Sequence, residues 1–563
     1  MWHRNVVALA MWLGLSLGLW AQATTPASPL QTPSAGSTEA RPQTGTNTPS
    51  DIPVLRTYTR MVVVDVIATD AKGNPIHDLK AEDLKVFEDG KEQTIKAFSF
   101  HEPNIGTAPQ KPKLGYHEVT NIPLYNATSS FNVIILDTLN TVFTDQAYAR
   151  EEVIKFVQKL PNDQPVAIFG LNSKRLQLLQ DFTTDPELLK KAIHGMKGEL
   201  SPLLMNPTGI PGSRGAGQFA HLEAQLAADR TNSRMQATMA VFSALGQVLE
   251  NYHGRKNVIW LTDGIPVGGF SLMGRFDYME DYGSAVGKAA ESLRSAQIAI
   301  YPIDAHGLAA PSFFDAGNRS GGSLQQSLQR DFVRSNSIHA AMNDLAERTG
   351  GRAFYNRNDL DNLVAKSIED GSTYYTIGYY PENKNWNGRF RKIKVTAQPS
   401  SAKLRYRIGY YAADPGSQDR DRQAQVGDDL LKALNIDFPA STGLPFRAAI
   451  TPPSPATQNK VVVNFAIQAD ALRFVDQNDG LHHATVECGV RAFSAKGVPM
   501  KAAVQTVEAS LKPETFNNVM QSAFPCRQEI DLPAGSFTLR LAVHDSRTGL
   551  TGSTNAQVTI AKK

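Results

Sequence analysis

The sequence predicts an α/β fold: a mainly parallel sheet with helices on both faces, flanked by β-rich domains. Three observations carry this. Residues 131–136 form a run of apolar and β-branched residues that ends abruptly at Asp137. Residues 257–261 do the same and end at Thr262, Asp263 and Gly264. From Phe131 to about Gly371, strand-like and helix-like stretches alternate. Unbroken apolar runs suit strands buried on both faces, as in a parallel sheet covered by helices. Each acid then sits at the carboxyl end of its strand, where open α/β folds place their ligand crevices. Two such strands aim Asp137 and Asp263 at one edge, and that edge is the candidate site.

The chain has 563 residues, enough for several domains. With 41% hydrophobic and 20% charged residues it has an ordinary globular composition, and a net charge of +3 gives no argument for nucleic acid. Residues 1–23 read as a secretory signal: His3 and Arg4 make a weakly basic start, residues 6–20 are apolar, and Ala21-Gln22-Ala23 offers a cleavage site. The alternative, a retained anchor, would be short for a span. No later stretch is apolar enough to cross a bilayer. A secreted, periplasmic or cell-envelope location follows as the expectation. The only two cysteines, Cys488 and Cys526, both lie in the C-terminal region. In an exported chain a disulfide between them is expected, with two buried thiols as the alternative.

Residues 24–52 are Thr, Pro, Ser, Gly and Ala almost without apolar bulk, and read as a disordered linker. Residues 53–102 read as a small β-domain, with strands at 61–67, 84–87 and 93–98. Glu88-Asp89-Gly90-Lys91 is a hairpin signal, and residues 81–83 suit a short helical turn. A polar connector follows. The α/β domain spans 129–371. Its helices are expected at 145–160, after Asp185-Pro186, at 235–252, 285–296, 338–347 and 359–368. Its further strands are expected at 166–171 and 298–303, the latter ending at Asp304. The intervening stretches 201–217, 264–275 and 307–330 read as surface loops. Residues 372–412 form an antiparallel extension of three aromatic and β-branched strands. After a charged linker at 413–436, residues 437–563 carry five or more strand-like runs without helices, which suggests an immunoglobulin-like sandwich.

Residues 131 to about 371 resemble a von Willebrand factor type A domain. The flanking blocks sharpen the resemblance toward bacterial VWFA-related exported proteins. They are Val62-Val63-Val64-Asp65-Val66, Val86-Phe87-Glu88-Asp89-Gly90-Lys91, Gly254-Arg255-Lys256-Asn257-Val258-Ile259-Trp260-Leu261, Ala299-Ile300-Tyr301-Pro302-Ile303-Asp304 and Tyr374-Tyr375-Thr376-Ile377-Gly378-Tyr379-Tyr380-Pro381. Together they cover roughly residues 54–412. The resemblance implies a Rossmann-like α/β domain that binds a protein or peptide and is not an enzyme. Many such domains hold Mg²⁺ in a metal-ion-dependent adhesion site, where a ligand carboxylate completes the coordination. Mn²⁺ and Ca²⁺ are the alternative ions. The family pattern is Asp-x-Ser-x-Ser in the first loop, a Thr in the second and an Asp in the third, all oxygen donors suited to a hard cation.

Carried onto this chain, the metal ligands would be Asp137, Thr141, Thr231 and Asp263. Thr238 competes with Thr231 for the second-loop position. Leu139 replaces the first serine and offers no oxygen, which leaves water or Asn140 to take its place. Without a metal, Asp137 and Asp263 would be strand-end acids satisfied by loop amides and helix N-termini. Other chemistry finds little support. The glycines at 209, 212, 215 and 217 follow no strand and precede no phosphate-loop lysine. The histidines, His221, His253, His306 and His339 among them, make no ligand spacing. No Gly-x-Ser-x-Gly elbow stands between a predicted strand and helix; the match at residues 14–18 lies within the apolar stretch of the expected signal. The tyrosine pairs 374–375 and 379–380 read as packed strand faces, with a carbohydrate-stacking platform as the alternative. The expected function is an exported binding or adhesion module. The second reading is a metal-independent structural or scaffolding protein of the cell envelope.

Overall fold

The computed structural model describes residues 61–561 apart from 104–112, 123–129, 161–163, 174, 205–215, 251, 253, 265–276, 309–323, 399, 415–428, 455–459 and 478. The expected secretory signal and the linker after it lie outside the described residues, as do parts of the three expected surface loops. Among the described residues no helix is long and apolar enough to cross a membrane.

The first strands are β1 (Val62–Thr69), β2 (Leu84–Glu88), β3 (Lys91–Gln93), β4 (Ile95–His101) and β5 (Glu118–Thr120). Asp89 and Gly90 join β2 to β3, and both have positive φ, 48° and 85°. A two-residue hairpin turn needs that backbone to match strand twist. The expected strand at 93–98 is divided: β3 stays with β2, whereas β4 crosses to another sheet.

The α/β unit follows. It comprises β6 (Ser130–Asp137), α1 (Phe143–Val157), β7 (Val166–Leu171), β8 (Leu176–Thr183), α2 (Pro186–Gly195), α3 (Ala216–Leu249), β9 (Arg255–Thr262), α4 (Asp277–Ser295), β10 (Ile298–Asp304), α5 (Leu324–Thr349) and α6 (Leu360–Ser372). The sheet order is β10-β9-β6-β7-β8. All neighbours are parallel except β8, an antiparallel edge strand. β6, β7, β9 and β10 are buried at every residue, whereas β8 is mostly half-buried. That is why the central strands stand out as apolar runs and the edge strand does not. One face packs Val133, Ile135, Val258 and Trp260 against Met239, Phe242 and Leu245 of α3, with α4 and α5 beside them. The other packs Ile134, Leu136, Ile259 and Tyr301 against α1, α2 and α6.

Four strands return to the first region: β11 (Tyr374–Tyr379), β12 (Phe390–Ala397), β13 (Lys403–Arg405) and β14 (Gly409–Tyr411). The two stretches 61–101 and 374–411 interleave into two four-stranded sheets, β13-β1-β11-β4 and β14-β12-β2-β3. They share one core of Val64, Val66, Val86, Tyr375, Ile377 and Val395. Each stretch gives two strands to each sheet, and a two-stranded pair is marginal on its own.

The C-terminal strands are β15 (Phe446–Thr451), β16 (Val461–Ile467), β17 (Val475–Gln477), β18 (Leu481–Ser494), β19 (Pro499–Leu511), β20 (Phe524–Ile530), β21 (Gly535–Asp545) and β22 (Thr551–Ile560), with one helix, α7 (Pro513–Gln521), between β19 and β20. One sheet runs β20-β16-β15-β5; the other runs β17-β18-β21-β22 with β19 also on β18. Their inner faces share one core. The connector thus supplies β5 to the C-terminal layer, which residues 437–563 do not complete alone. Cys488 of β18 and Cys526 of β20 form a disulfide between the two sheets.

Candidate functional site

β6 and β9 are adjacent and parallel, with Leu136 level with Leu261. Their carboxyl ends therefore deliver Asp137 and Asp263 to one rim. Asp137 is 3% exposed. Its Oδ1 accepts from the Leu139 and Asn140 amides, both at 2.9 Å. Its Oδ2 accepts from Asn140 Nδ2 at 2.8 Å, Trp260 Nε1 at 3.0 Å and Thr262 Oγ1 at 2.9 Å. Burial pushes its pKa up, and these donors pull it back down. Five donors use the lone pairs that a carboxylate would offer a metal.

Asn140 does most of this bridging. Its Nδ2 also donates to Thr238 Oγ1 at 3.0 Å. The amide thus joins the first-loop acid to the second-loop hydroxyl, which the resemblance assigns to a cation. The buried Asn140 Oδ1 has no partner. Leu139 is 1% exposed and belongs to the α/β core with Met235 and Met239. Gln146 holds this loop from α1, donating to Thr141 O at 2.8 Å and Glu199 O at 2.9 Å.

Thr231 is not at the rim. α3 begins at Ala216, well before the expected 235, so Thr231 lies inside the helix. Its hydroxyl donates back to Ala227 O at 2.9 Å, the local bond of a mid-helix threonine. Thr238, seven residues on and thus roughly 10 Å along the axis, is the residue that meets Asn140. The early start follows from residues 219–230, which hold four Ala and two Leu, good helix formers after a Gly/Pro stretch.

Thr141 and Asp263 do meet. Asp263 N donates to Thr141 Oγ1 at 3.3 Å, and Val142 N donates to Asp263 Oδ2 at 2.7 Å. Asp263 Oδ1 is buried without a partner. Two residues outside the expected set close on it. Asp145 of α1 and His306, just after β10, place ligand atoms within 4.8 Å of one another and of Asp263. His306 Nδ1 lies 2.5 Å from Asp145 Oδ2. Burial pushes Asp263 up to about 8, and Asp145 and Asp304 add to it against the Val142 amide. The Asp145 hydrogen bond holds His306 up at about 9. Asp304 accepts from the His306 amide at 3.0 Å and faces His339 Nε2 at 3.2 Å. Arg234 of α3 is half-buried; burial and the nearby Arg334 lower its pKa, and Asp137 and Asp263 oppose them.

The structure therefore brings Asp137, Thr141 and Asp263 together, leaves Thr231 outside, and adds Thr238, Asp145 and His306. One signal for His306 stood in the sequence: β10 is a third apolar run closed by an acid, Asp304, two residues before it. Of the tyrosine pairs, Tyr374, Tyr375 and Tyr379 are buried and pack in the core as strand-face residues, which leaves only Tyr380 exposed.

No protein-family model matches the chain, and no curated protein matches it. Among solved structures it is similar to the SpRpn10 VWA domain, with 14% identity over 42% of this chain and 95% of that one and a TM-score of 0.18. It is also similar to the ArnB paralog VWA2 from Sulfolobus acidocaldarius, with 8% identity over 89% of this chain and 76% of that one and a TM-score of 0.19. The TFIIH p34 N-terminal domain shares 16% identity over 32% of this chain and 81% of that one, at a TM-score of 0.18. Two of these are named as VWA domains. Superposition this weak carries no argument about the site, which rests on the chain's own geometry.

Proposed function

We propose that this chain is an exported, non-enzymatic binding module that engages a protein or peptide through the loop rim at the carboxyl ends of β6, β9 and β10. The observation that carries the reading is the buried, unpartnered Oδ1 of Asp263 beside Asp145 and His306. Two carboxylates this close repel unless a proton or a cation lies between them. A divalent ion held by Asp145, Asp263 and His306 answers that need. One imidazole and two carboxylates favour Zn²⁺ or Mn²⁺ over Mg²⁺, which prefers all-oxygen sites. A carboxylate of the partner would complete the coordination from solvent. Val142 and Phe143, 42% and 50% exposed at the same rim, supply apolar contact area.

A second reading, the metal-independent scaffold, draws on Asp137: with five donors it needs no ion, and Asn140 does the bridging. Calorimetric titration of the full chain with Mg²⁺, Mn²⁺ and Zn²⁺ separates the two. The binding reading expects Mn²⁺ or Zn²⁺ to bind, His306→Ala and Asp263→Asn to lose that binding, and Asp137→Asn to keep it. If no ion binds, or if His306→Ala binds as wild type does, the cation reading fails and the scaffold stands.

A further inference from the structure

We propose that the cleft between the interleaved β-sheets and the lower end of the α/β unit binds a small multivalent oxyanion, a phosphate or a dicarboxylate. The cleft is a cavity of about 250 Å³, and Arg255, Arg294, Arg348 and Arg407 line it with Asp65. Four separate pieces of chain supply the guanidiniums. Arg255 opens β9, Arg294 and Arg348 sit in the last turns of α4 and α5, and Arg407 lies between β13 and β14. Convergence of this kind at a junction between packed units is a common setting for a ligand site. The volume falls just below the range usual for drug-sized ligands, so the occupant is small.

The protein's own acids fall one short. Arg255 Nη1 lies 3.8 Å from Asp65 Oδ2. Arg294 is tied to Glu291 one turn back on α4, and Arg348 to both oxygens of Asp344 on α5. Asp65, Glu291 and Asp344 thus answer three of the four guanidiniums. Arg407 is 8% exposed, donates through Nη2 to the Val63 carbonyl, and leaves its buried Nε without a partner. Burial and the nearby Arg294 push Arg407 down to about 10, against the pull of Glu291, Asp65 and Tyr379. A buried guanidinium N–H with no acceptor is costly. An oxyanion in the cleft supplies that acceptor, and planar guanidinium forks match phosphate and carboxylate oxygens. Ser295, Gln297 and Thr349 add polar lining. The cleft is at the amino end of β9 and the rim is at its carboxyl end, so this proposal stands apart from the cation reading.

The test is calorimetry and thermal shift on the full chain with inorganic phosphate, with succinate, and with chloride at matched ionic strength. Wild type should bind at least one of the two probes and be stabilised beyond the chloride control. Binding of phosphate alone identifies a tetrahedral oxyanion site; binding of succinate alone identifies a dicarboxylate site. Arg407→Met should lose the binding. Because that substitution also disturbs a buried contact, Arg348→Gln, on a part-exposed helix end, serves beside it and should weaken binding roughly tenfold or more. Asp65→Asn removes the acid that lines the cleft and should tighten binding. The proposal is overturned if neither probe exceeds chloride, or if Arg348→Gln and Asp65→Asn both bind as wild type does.

Discussion

Two residues show how burial decides what a side chain can do here. Leu139 stands where the family pattern has a metal-binding serine, yet it packs in the core at 1% exposure. Restoring the hydroxyl by Leu139→Ser should therefore destabilise the α/β unit by about 3 kcal/mol, from the lost methyl groups, the cavity and a buried hydroxyl. Chemical denaturation would read this, and a neutral or stabilising change would show that the loop can turn residue 139 toward the rim. Lys256 poses the opposite case. It is 1% exposed and donates to Ala296 O at 2.7 Å. Burial lowers its pKa from 10.5 to about 7, with Asp65 and Glu250 opposing. Between those values the unfolded chain holds a proton that the folded chain has released, so this residue's contribution to stability rises with pH across the window. Below about 7 Lys256 is charged in both states and the full burial penalty stands. Lys256→Met should raise the melting temperature most at pH 6 to 7, and the gain should shrink steadily toward pH 10. A gain that is constant with pH would show that Lys256 is not the source.

At the scale of elements, the rim depends on a loop backbone that few residues tolerate. Gly264, directly after Asp263, has φ +117°, and a Cβ there would lie 2.0 Å from Ile338 Cγ2 of α5. Gly264→Ala should cost about 3 kcal/mol, part from left-handed backbone strain and part from the clash. Gly264→Ala with Ile338→Ala should recover the steric share only, which a double-mutant cycle would separate. What was legible in the sequence follows the same physics. Strands buried on both faces must be apolar throughout, so β6 and β9 and their terminal acids could be read directly. The edge strand β8 could not, because half-buried residues mix polar with apolar. The true start of α3 was hidden by the Gly/Pro stretch before it, so Thr231, expected before the helix, lies inside it, and the competing Thr238 is the residue that meets Asn140. Asp145 and His306 left no spacing to read, because they meet only when α1 and the loop after β10 are brought to one rim.

For the whole molecule, chain order and spatial order diverge twice, and each divergence makes one layer depend on a distant segment. Residues 61–101 need 374–411 to complete two sheets. The C-terminal layer needs β5, more than 300 residues upstream, on the edge of β15. Asn121 fixes this junction. Its Nδ2 donates to Ser441 O at 2.8 Å and Leu444 O at 3.0 Å, and its Oδ1 accepts from Phe446 N at 2.8 Å. Thr120 adds a hydroxyl bond to Phe446 O at 2.7 Å. A fragment of residues 429–563 should therefore expose the β15 edge, where unpaired backbone groups invite strand addition. A synthetic peptide of residues 113–122 supplied to that fragment should bind it and raise its melting temperature. The same peptide with Asn121→Ala should bind at least tenfold more weakly, since three buried backbone groups then lose their partner. Equal stabilisation by both peptides would mean that the strand ladder alone holds β5. No stabilisation by either would mean that the C-terminal layer closes without the connector.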